Sequence, residues 1–543
     1  MHKILELPLL VILMGVGALA MLVPAIHAWA IRDWDVARAF LFPALLFLVV
    51  TALIGIASAA RRPANPARSH LLAMLGTFVL LPLMLAVPMN EAVRDTGYFS
   101  AWWEMVSSLT TTGATLFDPA RLPPSVHLWR ALVGWLGGFF MLVAGVAVLA
   151  PMNLGGFEVT GDGGPAGAGA AVAAGEAAAG AAAAGAAAAA SAPSAERRPG
   201  QGRRGSGARR PGRGLRSSHT GDRLVRHTLA LMPVYGSLTL ALWSALLIAG
   251  DPALVAVCHA MAAMATSGIS PVGGLAGGGS GFAGEMLIFV FLLLALSRHM
   301  MPAIGSRWTP APLVHDPEIR MALALMVAVP SVLFVRHWIG AVEVNEVEDV
   351  PAAAQAAWGA LFTVLSFLTT TGFESAGWVD ARFWSGLPTP GLVLAGLAII
   401  GGGVATTAGG VKLLRVYALY RHGERELQKL VHPDSVGGGG PAARRMRRQG
   451  AQVAWVFFAL FAMSIAVTML ALALTGLGFS PATVLTIAAL SNTGPLARIA
   501  AEVPLAWATL GEPAKAILAA AMVLGRLETL AIIALLNPEM WRG

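Results

Sequence analysis

Long and short apolar runs alternate along this chain in a fixed order. Residues 9–31 and 36–57 are apolar nearly throughout and long enough to cross a bilayer, which takes about 20 such residues per helix. They predict a helical hairpin. A unit then repeats four times: a long run, a run of about half a bilayer, a polar turn with a central glycine, and a second long run. The first copy comprises 71–89, 99–109, Gly113 and 126–150, and the second 229–249, 253–265, Gly268 and 286–301. The third comprises 321–335, 356–368, Gly372 and a helix from Leu392, and the fourth 453–474, 482–490, Gly494 and 514–536. Half-length runs suit helices that enter the membrane and turn back. The predicted fold is an all-α polytopic membrane protein: four pseudo-fourfold span–pore-helix–span repeats around a central ion pore, behind the hairpin.

The corresponding divisions are a hairpin at 1–60, pore repeats at 61–154, 223–315, 316–440 and 441–543, and an insert at 155–222. Ala28-Trp29-Ala30 imitates a signal-peptide cleavage site, but the apolar run before it is longer than usual and a second span follows at once, so cleavage is not expected. The insert carries a Gly/Ala run at 167–190 and then Arg197, Arg198, Arg203, Arg204, Arg209, Arg210, Arg213 and Arg216. It has almost no large apolar side chain to bury, which predicts a disordered linker. Contact with anionic lipid or nucleic acid is the alternative for its arginines.

The four turns read Thr110-Thr111-Thr112-Gly113-Ala114-Thr115, Ala265-Thr266-Ser267-Gly268-Ile269-Ser270, Thr369-Thr370-Thr371-Gly372-Phe373-Glu374 and Ser491-Asn492-Thr493-Gly494-Pro495-Leu496. A glycine there can adopt φ > 0 and aim backbone carbonyls sideways. Four such turns on one axis would form a ring of carbonyl oxygens able to replace the hydration shell of a potassium ion. The expected ion-binding residues are Thr111, Thr112, Gly113, Thr266, Ser267, Gly268, Thr370, Thr371, Gly372, Asn492, Thr493 and Gly494, with the Thr111, Thr370 and Asn492 side chains holding the backbone. The competing reading makes each glycine a helix C-cap, which leaves the half-spans unexplained.

Composition agrees with a membrane setting: 56% of residues are hydrophobic and only 12% charged. The single cysteine, Cys258, excludes an intramolecular disulfide and a multi-cysteine zinc site. The net charge of +8 could suggest nucleic acid, but basic residues in such a chain mark cytoplasmic loops, and nucleic acid is not an expected partner. Arg61, Arg62, Arg68, the insert's arginines, Arg298, Arg307 and the basic residues of 412–448 fall on one side of the membrane, and the glycine turns fall on the other with Glu343, Glu346, Glu348 and Asp349. This predicts outward-facing turns and two cytoplasmic termini. No nucleophile–base pair, paired aspartates or His/Glu metal motif lies within the spans, so no enzyme is expected. His259 reads as a structural hydrogen-bonding residue, and Lys412 and Arg415 as side chains snorkelling to the interface. Glu104 fits either a field at the outer mouth or a buried hydrogen-bonded role.

The four turns, Trp135-Leu136-Gly137-Gly138, Ala256-Val257-Cys258-His259-Ala260, Gly525-Arg526-Leu527-Glu528 and the glycine-rich stretch 401–412 together resemble the TrkH-type membrane subunit of the Trk/Ktr/HKT potassium transporter superfamily. The resemblance implies a single-chain pore with an outward filter, a homodimer in the bacterial inner membrane, potassium as the transported ion, no cofactor in this chain, and a cytosolic TrkA-type regulatory subunit that binds a nucleotide such as NAD or ATP. Taken alone, Gly401, Gly402, Gly403, Thr406, Thr407, Gly409 and Gly410 fit either a flexible gate or close helix packing; the resemblance points to a gate beneath the filter. It also implies that Arg526 projects into the ion path as a barrier; a salt bridge to a gate-side acid is the alternative. Departures from the family pattern are Leu496 after the fourth turn, Ser107-Ser108 in the first half-span, and Ala295-Leu296-Ser297-Arg298-His299. In the superfamily, serine in place of the first filter glycine accompanies sodium transport. Gly113 therefore favours potassium; a sodium-permeable or sodium-coupled Ktr-like transporter is the alternative.

Overall fold

The computed structural model describes residues 8–58, 66–152, 154–157, 159, 220–300, 316–344, 350–384, 391–432, 448–501 and 503–528. Among these the chain is helical, without strands. The leading hairpin is α1 (Leu9–Ala20), α2 (Leu22–Ala30) and α3 (Trp34–Ser58). The predicted first span is thus two helices. Pro24 has no N–H to give the Ala20 carbonyl and its ring crowds that carbonyl, so the helix breaks at Met21.

The repeated unit follows. The first copy is α4 (Pro66–Ala92), α5 (Tyr98–Leu109) and α6 (Pro124–Ala144), the last continued by a π turn at Gly145–Leu149. The second is α7 (Thr220–Ala249), α8 (Ala253–Ala265) and α9 (Gly281–Leu292). The third is α10 (Pro317–Val344), α11 (Val350–Leu368), the short α12 (Trp378–Trp384) and α13 (Gly391–Ile400), after which α14 (Leu413–Val431) leads away. The fourth is α15 (Arg448–Leu474), α16 (Phe479–Leu490), the one-turn α17 (Leu496–Ile499) and α18 (Glu512–Leu527).

Among the described residues, six helical spans, counting α1 and α2 as one, are long and apolar enough to cross a membrane. Their outer faces carry bare aliphatic side chains, such as Ile248 at 88% and Leu474 at 82% exposure, where the neighbour must be lipid. The short helices lie inside this shell, with Trp103, Val106, Phe362, Phe367, Leu485 and Leu490 all within 3% of complete burial. Close approach depends on small residues. A Cβ on Gly137 would strike the Leu109 carbonyl at the end of α5, and one on Gly525 the Leu490 carbonyl at the end of α16.

Several boundaries differ from expectation. The third half-span begins at Val350 rather than residue 356. The second returning helix stops at Leu292 and continues as 3-10 turns at Leu293–Ala295 and Arg298–Met300, because the Ala295 carbonyl is taken by the Gly403 N–H at 3.0 Å. The fourth returning helix ends at Leu527, where Glu528 takes φ 61°; its expected continuation to 536 lies outside the described residues. The stretch expected to be a linker from 155 instead begins packed: Phe157 and Val159 are buried with Val404, Ala405, Leu414 and Ala454. At its other end α7 already starts at Thr220. The remainder, with its arginine cluster, lies outside the described residues, as do Arg61, Arg62 and Arg307.

Candidate ion pathway

All four short helices end in the same way. The N–H groups of Thr112, Ser267, Thr371 and Thr493 reach five residues back, to Ser107, Ala262, Ser366 and Ala488, at 2.8–2.9 Å. Those of Thr111, Thr266, Thr370 and Asn492 reach three back, at 3.0–3.2 Å. This is the Schellman termination, and its left-handed residue is normally glycine. Here that residue is Thr111 (φ 55°), Thr266 (φ 50°), Thr370 (φ 59°) or Asn492 (φ 56°). The helix cap therefore lies two residues before each glycine, which corrects the reading of the glycines as caps. A β-branched residue in this region costs about 1 kcal/mol or more, a strain that persists only where surrounding structure imposes it. Gly113 (φ 71°), Gly268 (φ 64°) and Gly372 (φ 78°) are also left-handed, but Gly494 is not among the residues with positive φ, contrary to expectation.

The turns meet in cyclic order. A methyl group on Gly113 would overlap the Ser267 carbonyl oxygen, and one on Gly268 the Thr371 carbonyl oxygen. One on Gly372 would lie 3.0–3.1 Å from three ring atoms of Pro495, and one on Gly494 2.7 Å from the Thr112 carbonyl oxygen. The turns thus touch first to second, second to third, third to fourth and fourth to first. Hydroxyl pairs brace three of them: Thr110 to Thr112 at 2.8 Å, Thr369 to Thr371 at 3.0 Å and Ser491 to Thr493 at 3.2 Å. The second turn has Ala265 in the bracing position, and Ser267 Oγ has no protein partner.

The three side chains expected to hold the backbone differ. Asn492 Nδ2 donates to Thr112 Oγ1 at 3.0 Å and to the Met522 carbonyl at 2.9 Å. Thr370 Oγ1 accepts from the Gly409 N–H at 2.7 Å, so it binds the glycine-rich loop rather than its own turn. Thr111 Oγ1 is buried without a protein partner, against the bracing role expected of it.

Each turn has a buried anchor behind it, and sequence reasoning found only part of this. Glu104 pairs with Arg130 at 2.6 Å and accepts from the Leu116 N–H at 3.0 Å, the buried of its two alternatives. His259 lies 2.9 Å from Ser270 Oγ and 3.7 Å from Asp251, which accepts from the Ser280 N–H. Glu285, which sequence reasoning missed, accepts from Ser375 Oγ, the Ala376 N–H and Trp358 Nε1 at 2.6–3.0 Å. Trp507 Nε1 donates to the Gly494 carbonyl at 3.3 Å. A lone acid in an apolar helix was the available signal for Glu285.

The loop after α13 lies against the left-handed residues of the turns. Gly401 (φ 74°), Ala405 (φ 54°), Gly410 (φ 76°) and Lys412 (φ 85°) reverse the chain, and the N–H groups of Val411 and Lys412 return to the carbonyls of Ile399 and Ile400 at 2.8 Å. Gly402 and Gly403 fit tightly against Ala295 and Leu296. Thr406 Oγ1 closes the bend onto the Gly403 carbonyl at 2.7 Å, and Glu318 accepts from the Val404 N–H at 2.8 Å. Thr407 Oγ1 meets Thr266 Oγ1 and the Met264 carbonyl, both at 3.2 Å. A methyl on Gly409 would overlap the Ser491 carbonyl oxygen. Arg526 is 3% exposed and donates from Nη1 to the Thr407 carbonyl at 2.7 Å, while its Nε and Nη2 have no protein partner.

Two basic residues are corrected. Lys412 and Arg415 do not snorkel; they are 7% and 0% exposed. Lys412 Nζ donates to the Ala408 carbonyl. Arg415 pairs with Glu528 at 2.7 Å and sits 3.7 Å over the Phe457 ring. A carboxylate and an aromatic face offset its desolvation, so it need not reach water.

Residues 315–541 match a family model described as TrkH, cation transport protein. The Trk system potassium uptake protein TrkH of Vibrio parahaemolyticus is 28% identical over 477 residues, covering 87% of this chain and 84% of that protein. The protein of the same name from Salmonella typhimurium is 27% identical over 471 residues, covering 86% and 84%. The crystal structure of the potassium transporter TrkH from Vibrio parahaemolyticus superposes with a TM-score of 0.76 over 99% of both chains at 24% identity, a likeness of fold.

Proposed function

We propose that this chain, whose resemblance to the TrkH-type membrane subunits holds in sequence and in fold, takes up potassium across a bacterial inner membrane. Its relatives carry the name of potassium uptake proteins, and six long apolar spans among the described residues suit a membrane protein. The observation that carries the reading is the cyclic meeting of four glycine turns at the ends of four buried short helices. Backbone carbonyls of Thr111–Gly113, Thr266–Gly268, Thr370–Gly372 and Asn492–Gly494 coordinate the dehydrated ion. The loop at 401–410 gates the path, with Arg526 as its fixed positive charge. The chain works as a homodimer with both termini cytoplasmic, and a cytosolic TrkA-type subunit binds the regulatory nucleotide, NAD or ATP.

Rubidium uptake by a potassium-uptake-deficient bacterium expressing the chain, with and without the regulatory subunit, tests this. Uptake competed by potassium and not by sodium is expected. Uptake competed equally by sodium would replace this reading with the sodium-permeable one.

Gly113→Ser is expected to weaken discrimination between potassium and sodium. Gly113 holds φ 71°, and any Cβ there meets the Ser267 carbonyl, so serine displaces two adjoining turns at once. Selectivity is read as the inhibition of rubidium uptake by each cation. An unchanged ratio in folded protein would remove Gly113 from the filter.

A further inference from the structure

The fourth turn is unlike the other three, and its differences all point to the axis. In a ring of four turns touching in cyclic order, the second and fourth face each other across the centre. For an ion to pass, those two must stand apart by the ion and its opposing carbonyl oxygens. Here a methyl on Gly268, in the second turn, would lie 3.1 Å from Pro495 Cγ, in the fourth. The same proline ring lies against Gly372 in the third turn. A side chain that reaches both its neighbouring turn and its opposite one occupies the middle of the ring.

The backbone agrees. The Thr112 carbonyl, expected to face the ion, instead accepts the Gly494 N–H at 2.6 Å. The Gly494 carbonyl is engaged by Trp507 Nε1 at 3.3 Å. Pro495, at φ −60° and ψ −19°, is the N-cap of α17, whereas the residues after the first three glycines do not lead directly into a helix. Three contacts hold α17: Leu496 and Ala497 are fully buried, the Leu505 N–H bonds the Ala497 carbonyl at 3.1 Å, and Arg498 donates to the Gly273 carbonyl at 3.0 Å.

We infer that the fourth turn closes the ion path at the level of the filter, with Pro495 as the stopper and Trp507 as the positioning residue that holds it. Ions pass only when residues 493–496 move off the axis. This closure is separate from the loop at 401–410, which lies against the left-handed residues of the turns. The inference rests on the uptake reading above.

The test measures initial rubidium-86 uptake in the potassium-uptake-deficient bacterium expressing the full chain with its regulatory subunit. Pro495→Gly is expected to raise the rate about tenfold or more, as loss of the stopper shifts the population towards the open ring. Trp507→Phe keeps an aromatic ring beside Trp103 but loses the N–H together with part of the indole's bulk. It is expected to raise the rate several-fold, whereas a merely structural tryptophan would lower it, and it serves if the glycine variant does not fold. A silent parent with an active variant supports both the closure and the uptake reading. An active parent whose folded variants show no increase overturns the closure and leaves the uptake reading standing. Silence of the parent and of both folded variants overturns both.

Discussion

Replacing Arg526 with alanine is expected to raise rubidium uptake by about tenfold or more, which corresponds to removing about 1.4 kcal/mol from the barrier. The guanidinium is 3% exposed and bonded to the Thr407 carbonyl at 2.7 Å. Two like unit charges at about 4 Å repel by roughly 4 kcal/mol at an effective dielectric constant near 20, and a more distant pair retains a share of this. The substitution removes that repulsion and also frees the loop from α18. Arg526→Lys keeps the charge and is expected to stay close to the parent. If ions pass only when both proposed closures are open, independent closures multiply. The double variant with Pro495→Gly should therefore show the product of the two single increases. A double variant no faster than either single one would mean that the two form a single device. No increase in folded Arg526→Ala would remove its barrier role.

Much of this arrangement is legible in the chain because membrane folding forces simple patterns. A half-length apolar run between two long ones has few places to go, and all four short helices lie within two residues of their predicted ends. Their starts were less legible: α11 begins six residues early because the apolar stretch Val350–Ala354 is cut off from the longer run only by Gln355, which a helix absorbs without ending. The competing reading, with each glycine as the cap, fails for a physical reason. Propensity assigns left-handed backbone to glycine, whereas Thr111, Thr266, Thr370 and Asn492 are held there by two Schellman hydrogen bonds each and by contacts made after folding. Glycine is kept instead where two turns touch, a long-range property with no local signature. Lys412 and Arg415 were misplaced in the same way. Nothing near them in the chain announces that Glu528, 113 residues beyond Arg415, completes an internal pair. The unusual fourth turn was marked by Leu496, but which way Pro495 would face depends on three other segments.

That distant pair carries the other large effect. Glu528→Ala is expected to destabilise the protein by about 3–5 kcal/mol, the usual cost of taking one partner from a buried ion pair. Arg415 has no exposed side-chain surface, and Glu528 has 9%. Arg415 also lies 3.7 Å over the Phe457 ring and donates to the Val411 carbonyl at 3.3 Å. The midpoint of thermal unfolding in detergent should fall by several degrees, and uptake should fall with the amount of folded protein. Arg415→Met removes the opposite charge, and the double variant Arg415→Met/Glu528→Met should recover much of the loss, since a packed apolar pair avoids both desolvation costs. Recovery matters beyond stability, because the pair ties α14, which follows the glycine-rich loop, to the residue that ends α18 just after Arg526. If the double variant regains its unfolding temperature while its uptake still differs from the parent, the pair sets the position of the loop as well as holding the fold. If the single and double variants are equally unstable, Arg415 and Glu528 act through separate contacts and the pairing contributes little.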